Sequence, residues 1–168
     1  GLSILSGSVE SSGWLETGAS MVLAGRDVDV AGVIRSNGDT DADYDHELTI
    51  RATDDVRLHG AIGLLGSMRV TAADDIDLWN MVLTAQADGH GVKLEAGDAI
   101  RLGDATGNTG AVILEADSRV DLLASGVLTL GTNAQIYTSG AGSVIAGEGS
   151  VVDIQGAVLA GRDHLVRY

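Results

Sequence analysis

One short pattern recurs through the chain and limits what it can fold into. An aliphatic residue, a variable residue and an alanine are followed, at the seventh and ninth positions, by two further aliphatic residues. Five copies start at residues 22, 50, 70, 94 and 114, so the spacings are 28, 20, 24 and 20 residues. A weaker copy starts at residue 136, and the hexapeptide VLAGRD of residues 22–27 recurs at 158–163. The pattern predicts about seven units of 20–28 residues in one domain, residues 1–168.

Each unit is too small to bury its own apolar residues. Aliphatic and polar residues alternate with a period of two, which is typical of a strand with one buried face. Copies stacked about 4.8 Å apart would bury that face continuously. We therefore predict an all-β fold, a parallel β-helix (β-solenoid), right-handed because crossovers generally are. The residues expected to stack inward are Val22, Ile50, Val70, Leu94 and Leu114, with Ala24, Ala52, Ala72, Ala96 and Ala116.

The outward positions indicate that the coils are parallel and in register. Between the second and third aliphatic residues, successive units carry Asp29, Arg57, Asp77, Arg101 and Asp121. Stacked coils would align these residues in one column of alternating charge, and each neighbouring pair would contribute about 0.2–1 kcal/mol. A slip by one coil would set like charges side by side, so the column favours a single register.

Three segments resemble the filamentous haemagglutinin type of repeat: IRATDDVRLHGA at residues 50–61, VTAADDIDL at 70–78 and LEAGDAIRL at 94–102. The resemblance covers residues 22–130 and extends more loosely to residue 165. It implies a right-handed parallel β-helix from a large bacterial exoprotein, many of which are exported by two-partner secretion. Members of that family are mostly adhesins, biofilm-matrix fibres or toxin-delivery stalks. We therefore expect a segment of a longer extracellular or cell-surface fibre, and the resemblance transfers no binding site.

Composition excludes several other classes of protein. The 24 glycines disfavour a helical bundle, because each would cost about 1 kcal/mol in a helix interior. The absence of cysteine excludes a disulfide scaffold. The formal net charge of −14 repels phosphate groups, so nucleic acid is not an expected partner. No run of 18 apolar residues is present, so membrane insertion is not expected either.

Two groups of aspartates are candidates for binding a cation. The acidic insertion, residues 36–47, alternates aspartate with other residues at a spacing that calcium loops use, although it does not match the EF-hand pattern. Its candidate ligands are Asp39, Asp41, Asp43 and Asp45. The other group, Asp54, Asp74 and Asp98, shares one repeat position, where stacking would bring like charges together. Calcium is the one cofactor that the sequence suggests, and the alternative is that both groups are simply solvated.

The sequence holds no familiar catalytic motif: H-x-H, H-E-x-x-H, G-x-S-x-G, G-x-G-x-x-G and Walker A are all missing. Aspartate pairs recur at the turns, which favours a structural role because a catalytic pair needs to occur only once. We therefore expect no enzymatic activity. Trp79 follows the inward Leu78 and should point outward, where it could contact a glycan or a neighbouring chain, or cover a coil edge.

The ends of a solenoid leave strand edges and apolar residues open. We therefore expect the rod to stack end to end with other copies or to continue into further repeats. The predicted function is that of a structural or adhesive fibre module. The alternative is a surface module that binds calcium or cell-surface and matrix glycans. A β-helix enzyme that acts on polysaccharides is the less favoured alternative.

Overall fold

The repeat folds as predicted, into a parallel β-solenoid. The structure is a computed structural model that describes residues 2–36, 47–85, 89–105, 108–141, 143–159 and 165–167. In these ranges every regular element is a β-strand. A search of the same residues finds no helix with the length and apolar character to span a membrane.

Each coil contributes strands to three faces. Face one is an eight-stranded parallel sheet: β1 (Leu2–Leu5), β4 (Met21–Gly25), β7 (Leu48–Ala52), β9 (Met68–Ala72), β11 (Gly91–Ala96), β16 (Arg119–Ala124), β19 (Val144–Glu148) and β22 (Leu165–Arg167). Faces two and three share a twelve-stranded sheet that includes the long strands β8 (Val56–Leu64) and β10 (Ile76–Ala85).

The long strands β8 and β10 begin on face two and end on face three. Face two also contains β2 (Ser8–Ser11), β5 (Asp27–Val30), β12 (Ile100–Leu102), β17 (Val127–Leu130) and β20 (Val151–Ile154). Face three also contains β3 (Trp14–Thr17), β6 (Val33–Ser36), β15 (Val112–Ala116), β18 (Ala134–Thr138) and β21 (Ala157–Leu159). A short antiparallel hairpin, β13 (Asp104–Ala105) and β14 (Asn108–Thr109), interrupts the fifth coil.

Inward side chains form continuous apolar columns along the axis. On face one Ile50, Val70 and Leu94 pair in succession and are fully buried. Five coils, residues 21–138, have buried interiors, whereas the coils at residues 2–17 and 144–159 are mostly half-buried. The number of fully packed coils is thus slightly below the predicted seven. The hand of the coil stays a prediction.

The predicted register is wrong by one residue in the first unit. Leu23, not Val22, pairs with Ile50, so Val22 and Ala24 lie on the outer, half-exposed side of β4. A slip of one residue exchanges the two sides of a strand, because side chains alternate. The observed register buries the larger side chains of Met21 and Leu23 completely.

The unit at residue 114 stacks on a different face from the one predicted. Leu114 is buried as expected, but it pairs with Leu83 on face three, whereas Leu94 pairs with Leu122 on face one. The hairpin β13–β14 lengthens this coil, so the true step from Leu94 is 28 residues and not 20. Face three repeats the aliphatic-x-alanine pattern because its inward positions alternate in the same way.

The charge column is confirmed for four of its five predicted members. The confirmed neighbours along face two are, in order, Asp29, Arg57, Asp77 and Arg101. The next residue in this column is Thr129. The predicted fifth member, Asp121, lies on face one beside Lys93. The error at Asp121 has the same cause as the error at Leu114. Both positions were predicted from a 20-residue step between units, and the hairpin β13–β14 makes this step longer.

Close contact between coils restricts the corner between faces two and three to glycine at two successive positions, Gly32 and Gly60. A Cβ atom on Gly32 would lie 1.9 Å from the carbonyl oxygen of Gly13 in the preceding coil. A Cβ atom on Gly60 would lie 2.2 Å from the carbonyl oxygen of Gly32. A side chain at Gly32 or Gly60 would force adjacent coils apart.

We expect Gly32→Ala to lower the free energy of unfolding by about 1–3 kcal/mol, because the backbone must move to admit the methyl group. Gly13→Ala is the matched control: its Cβ atom would meet nothing within 4 Å. It should change stability by no more than about 0.5 kcal/mol. Urea denaturation measures both variants, and equal losses would contradict the close contact at this corner.

Candidate functional site

The acidic insertion joins β6 to β7, and its residues 37–46 lie outside the described residues. The pairing of Met21 with Leu48 confirms that the extra length of this coil falls there. The candidate calcium ligands in it are Asp39, Asp41, Asp43 and Asp45. All four fall in the undescribed range, so calcium binding by this segment stays a prediction.

Asp54, Asp74 and Asp98 stack at the corner between faces one and two, as predicted, and we call them the acidic turn column. The amide of Asp74 donates to the carbonyl of Asp54 at 3.2 Å, and the amide of Asp98 donates to the carbonyl of Asp74 at 3.0 Å. Together with Asp55 and Asp75 they form two groups of three carboxylates, each group within 4.8 Å. Such groups offer the oxygen ligands that calcium prefers.

Mutual repulsion acts at the centre of the acidic turn column. The neighbouring carboxylate of Asp75 raises the pKa of Asp74 above its usual value, and loss of hydration and the charges of Asp55, Asp98 and Asp54 act in the same direction. Because Asp74 is exposed, solvent and salt screen much of this repulsion. A cation bound between these carboxylates would reduce the repulsion that remains.

The inner aspartates of the same turns hold the backbone. Asp55 accepts a hydrogen bond from the amide of Asp75 at 3.3 Å and pairs with the guanidinium of Arg57. Asp75 accepts one from the amide of Ala99 at 3.0 Å and another from Nη1 of Arg101 at 2.7 Å. Asp55 and Asp75 thus hold the backbone at two successive turns, which is the structural role that the sequence argument favours for the aspartate pairs.

Arg101 links the acidic turns to the charge column. Its Nη1 atom lies 2.7 Å from Oδ2 of Asp75 and 3.1 Å from Oδ1 of Asp77. Burial raises the pKa of Asp77, while its hydrogen bond and charge interaction with Arg101 oppose that rise. One guanidinium thus compensates two partly buried carboxylates from the preceding coil.

Trp79 is partly exposed and lies at the outer edge of face two. Its ring stacks on the imidazole of His59 in the preceding coil, with centroids 4.6 Å apart and planes at 18°. Nε2 of His59 lies 3.4 Å from Oδ1 of Asp29. One face of the indole is thus covered. This contact fits one of the options that the sequence allows for Trp79, namely that it covers a coil edge. Aligning VRLH with IDLW places His59 and Trp79 at one repeat position, so the stack was readable from the sequence.

Ser67 and His90 form a polar contact that the sequence did not indicate, because 23 residues separate them. Oγ of Ser67 lies 3.1 Å from Nδ1 of His90 and also accepts the amide of Gly91 at 3.3 Å. In a serine nucleophile the base is usually Nε2, with a carboxylate on Nδ1. Nδ1 is here taken by the serine itself, so the pair resembles a bracing contact between coils and not a catalytic dyad.

The grooves of the described surface are open and shallow. One groove, of about 510 Å³, runs along the corner beside face one and is lined by Glu95, Gly97, Ser125 and Glu148 among others. Another of about 450 Å³ lies beside His59. In the part of the chain that the structure describes, neither combines an aromatic platform with a group poised for catalysis.

Comparisons with protein-family models, with curated proteins and with solved structures find no match to this chain. The interpretation of its function therefore depends on the fold, the geometry of these surfaces and the resemblance noted in the repeat.

Replacing Arg101 tests the charge column. Arg101→Met should lower the free energy of unfolding at pH 7 by about 1–3 kcal/mol, because Asp75 and Asp77 stay partly buried without their cation. The loss should shrink as the pH falls in the acid range, because burial raises the pKa of Asp77 and a protonated Asp77 no longer needs its cation. Chemical denaturation at several pH values measures this, and a loss independent of pH would contradict the assignment.

Replacing Asp74 tests repulsion in the acidic turn column. The pKa of Asp74 is higher in the folded state than in the unfolded chain. Ionisation of Asp74 therefore lowers the free energy of unfolding as the pH rises above the usual aspartate pKa of about 3.9. Without divalent cations, Asp74→Asn should therefore raise the melting temperature at pH 7 and leave it unchanged in acid. Glu148→Gln, an exposed change on face one, is the control. A lower melting temperature for Asp74→Asn under these conditions would contradict repulsion.

Proposed function

We propose that this chain is a structural module of an extracellular fibre, a stiff β-helical rod that presents turns and insertions to its surroundings. One observation carries the proposal: parallel pairing continues without a break from β1 to β22 along face one. Backbone ladders on three faces and buried columns between them resist bending in every direction.

The outermost coils support continuation along the axis. Apolar residues at both ends pack against the core but are only half-buried: Leu2, Ile4 and Leu15 at one end, and Val152, Ile154 and Val158 at the other. The outer strand edges there also carry backbone groups ready for pairing. A further coil, from the same polypeptide or from another copy, would cover both.

The adhesive role and the extracellular, bacterial cell-surface location in this proposal come from the resemblance to filamentous haemagglutinin repeats. A non-enzymatic role is supported by His59 and His90, whose ring contacts brace neighbouring coils. A second candidate is a calcium-dependent or carbohydrate-binding surface module. The grouped carboxylates of the acidic turn column favour the calcium form of that module, and the partly exposed ring of Trp79 favours the glycan form.

Electron microscopy of the purified chain tests the fibre proposal. We expect unbranched filaments one coil wide, assembled by end-to-end stacking. Ile4→Lys, which places a charge among the inward residues of β1, should abolish them, whereas Ser3→Lys, on the outer side of the same strand, should not. Short separate rods at all concentrations, or filaments insensitive to Ile4→Lys, would contradict end-to-end stacking.

The same preparation tests the second candidate. If calcium belongs to the mechanism, millimolar calcium should raise the melting temperature and a chelator should reverse the effect. Asp74→Asn and the double variant Asp41→Ala with Asp43→Ala separate the acidic turn column from the acidic insertion. No shift with calcium in the unsubstituted chain would remove calcium from the proposal and leave the fibre role untouched.

A further inference from the structure

The outer side of face three carries a column without a single charge. Six strands in succession contribute its members, which are Trp14, Val33, Ala61, Val82, Ile113 and Gln135. Trp14 is 55% exposed and Val82 is 45% exposed. A strip that is apolar from Trp14 to Ile113, on a chain of net charge −14, calls for a partner, because exposed apolar patches of this kind mark interaction sites.

The neighbouring outward column shows what kind of partner fits. Along the same six strands it reads Glu16, Arg35, Gly63, Thr84, Glu115 and Tyr137, so that Arg35 and Glu115 flank the centre. A cation and an anion thus stand at equal distances on either side of an uncharged centre. That arrangement is self-complementary under a two-fold rotation.

We propose that face three binds a second copy of this chain, face to face and with antiparallel axes, about a two-fold axis between β8 and β10. The rotation sets Arg35 of each copy opposite Glu115 of the other, which gives two ion pairs that flank the apolar centre. An interface of this type uses the same patch on both copies and closes as a dimer. This inference is independent of the fibre proposal.

The sizes of the central side chains are also complementary under this two-fold rotation. The rotation sets Ala61 opposite Val82 and Gly63 opposite Thr84, so a small residue meets a larger one at each central position. Sheets that pack face to face, about 10 Å apart, need such alternation to interdigitate. A parallel arrangement would place the Arg35 side chains of both copies at the same level and lose the ion pairs.

The size of the patch sets the strength of the dimer. Six coils in height and four residues in width cover roughly 400 Å² on each copy. Stable complexes bury about 800 Å² on each partner, so we expect weak and reversible association of isolated copies. In an array of rods the contact would repeat along each rod and gain strength through multivalency.

Sedimentation equilibrium up to millimolar concentration tests the proposal. In the Ile4→Lys background, which blocks end-to-end stacking, the chain should form dimers, and adding Val82→Glu should abolish them. Arg35→Glu and Glu115→Arg should each raise the dissociation constant about tenfold or more, because like charges then meet across the interface. The double variant should restore dimerisation. Arg51→Glu and Glu148→Arg make the same changes at exposed positions of face one and should have no effect.

Two controls separate loss of the lateral contact from unfolding and from end-to-end stacking. Arg35 lies over the ring of Trp14, 4.6 Å from its centroid, so circular dichroism must show that Arg35→Glu remains folded. Ile4→Lys, which blocks the end of the rod, should still dimerise, since the proposed contact is lateral. A chain that stays monomeric at millimolar concentration, or dimers that persist in Val82→Glu and lack charge-swap rescue, would overturn the proposal.

Discussion

The stacking of equivalent residues in successive coils is the interaction on which the whole molecule depends. No coil of about 20 residues can bury its own apolar side chains, so the inward side chains of each coil must pack against those of the next. Ile50, Val70 and Leu94 are fully buried only because they lie above one another. The register therefore constrains every position: a residue fits when it suits the same position one coil above and one coil below.

The same constraint generates the surface chemistry. Stacking aligns equivalent residues of successive units. Alternating charges therefore form the column that contains Arg101, and equivalent turns bring Asp54, Asp74 and Asp98 together. The first arrangement stabilises the register, and the second raises the pKa of Asp74.

Alternation with a period of two was enough to predict the fold, the inward aliphatic columns and most of the charge column. It could not predict where Val22 points, because MVLAG alternates equally well in either register and only packing against the next coil decides. Nor could it place Leu114, since all three faces require the same local pattern and the hairpin alters the spacing. The contact between Ser67 and His90 lacks any local signal, because it joins turns from different coils.

The absence of cysteine makes spin labelling the most direct test of in-register stacking. Cysteine at Ser3 can be paired with cysteine at Lys93, Asp121 or Ala146, which occupy the same outward column of face one. Pulsed electron paramagnetic resonance, with labelled chains diluted in unlabelled ones, should give separations that grow by about 4.8 Å per coil, near 19, 24 and 29 Å. Separations that do not increase in equal steps would contradict the solenoid register.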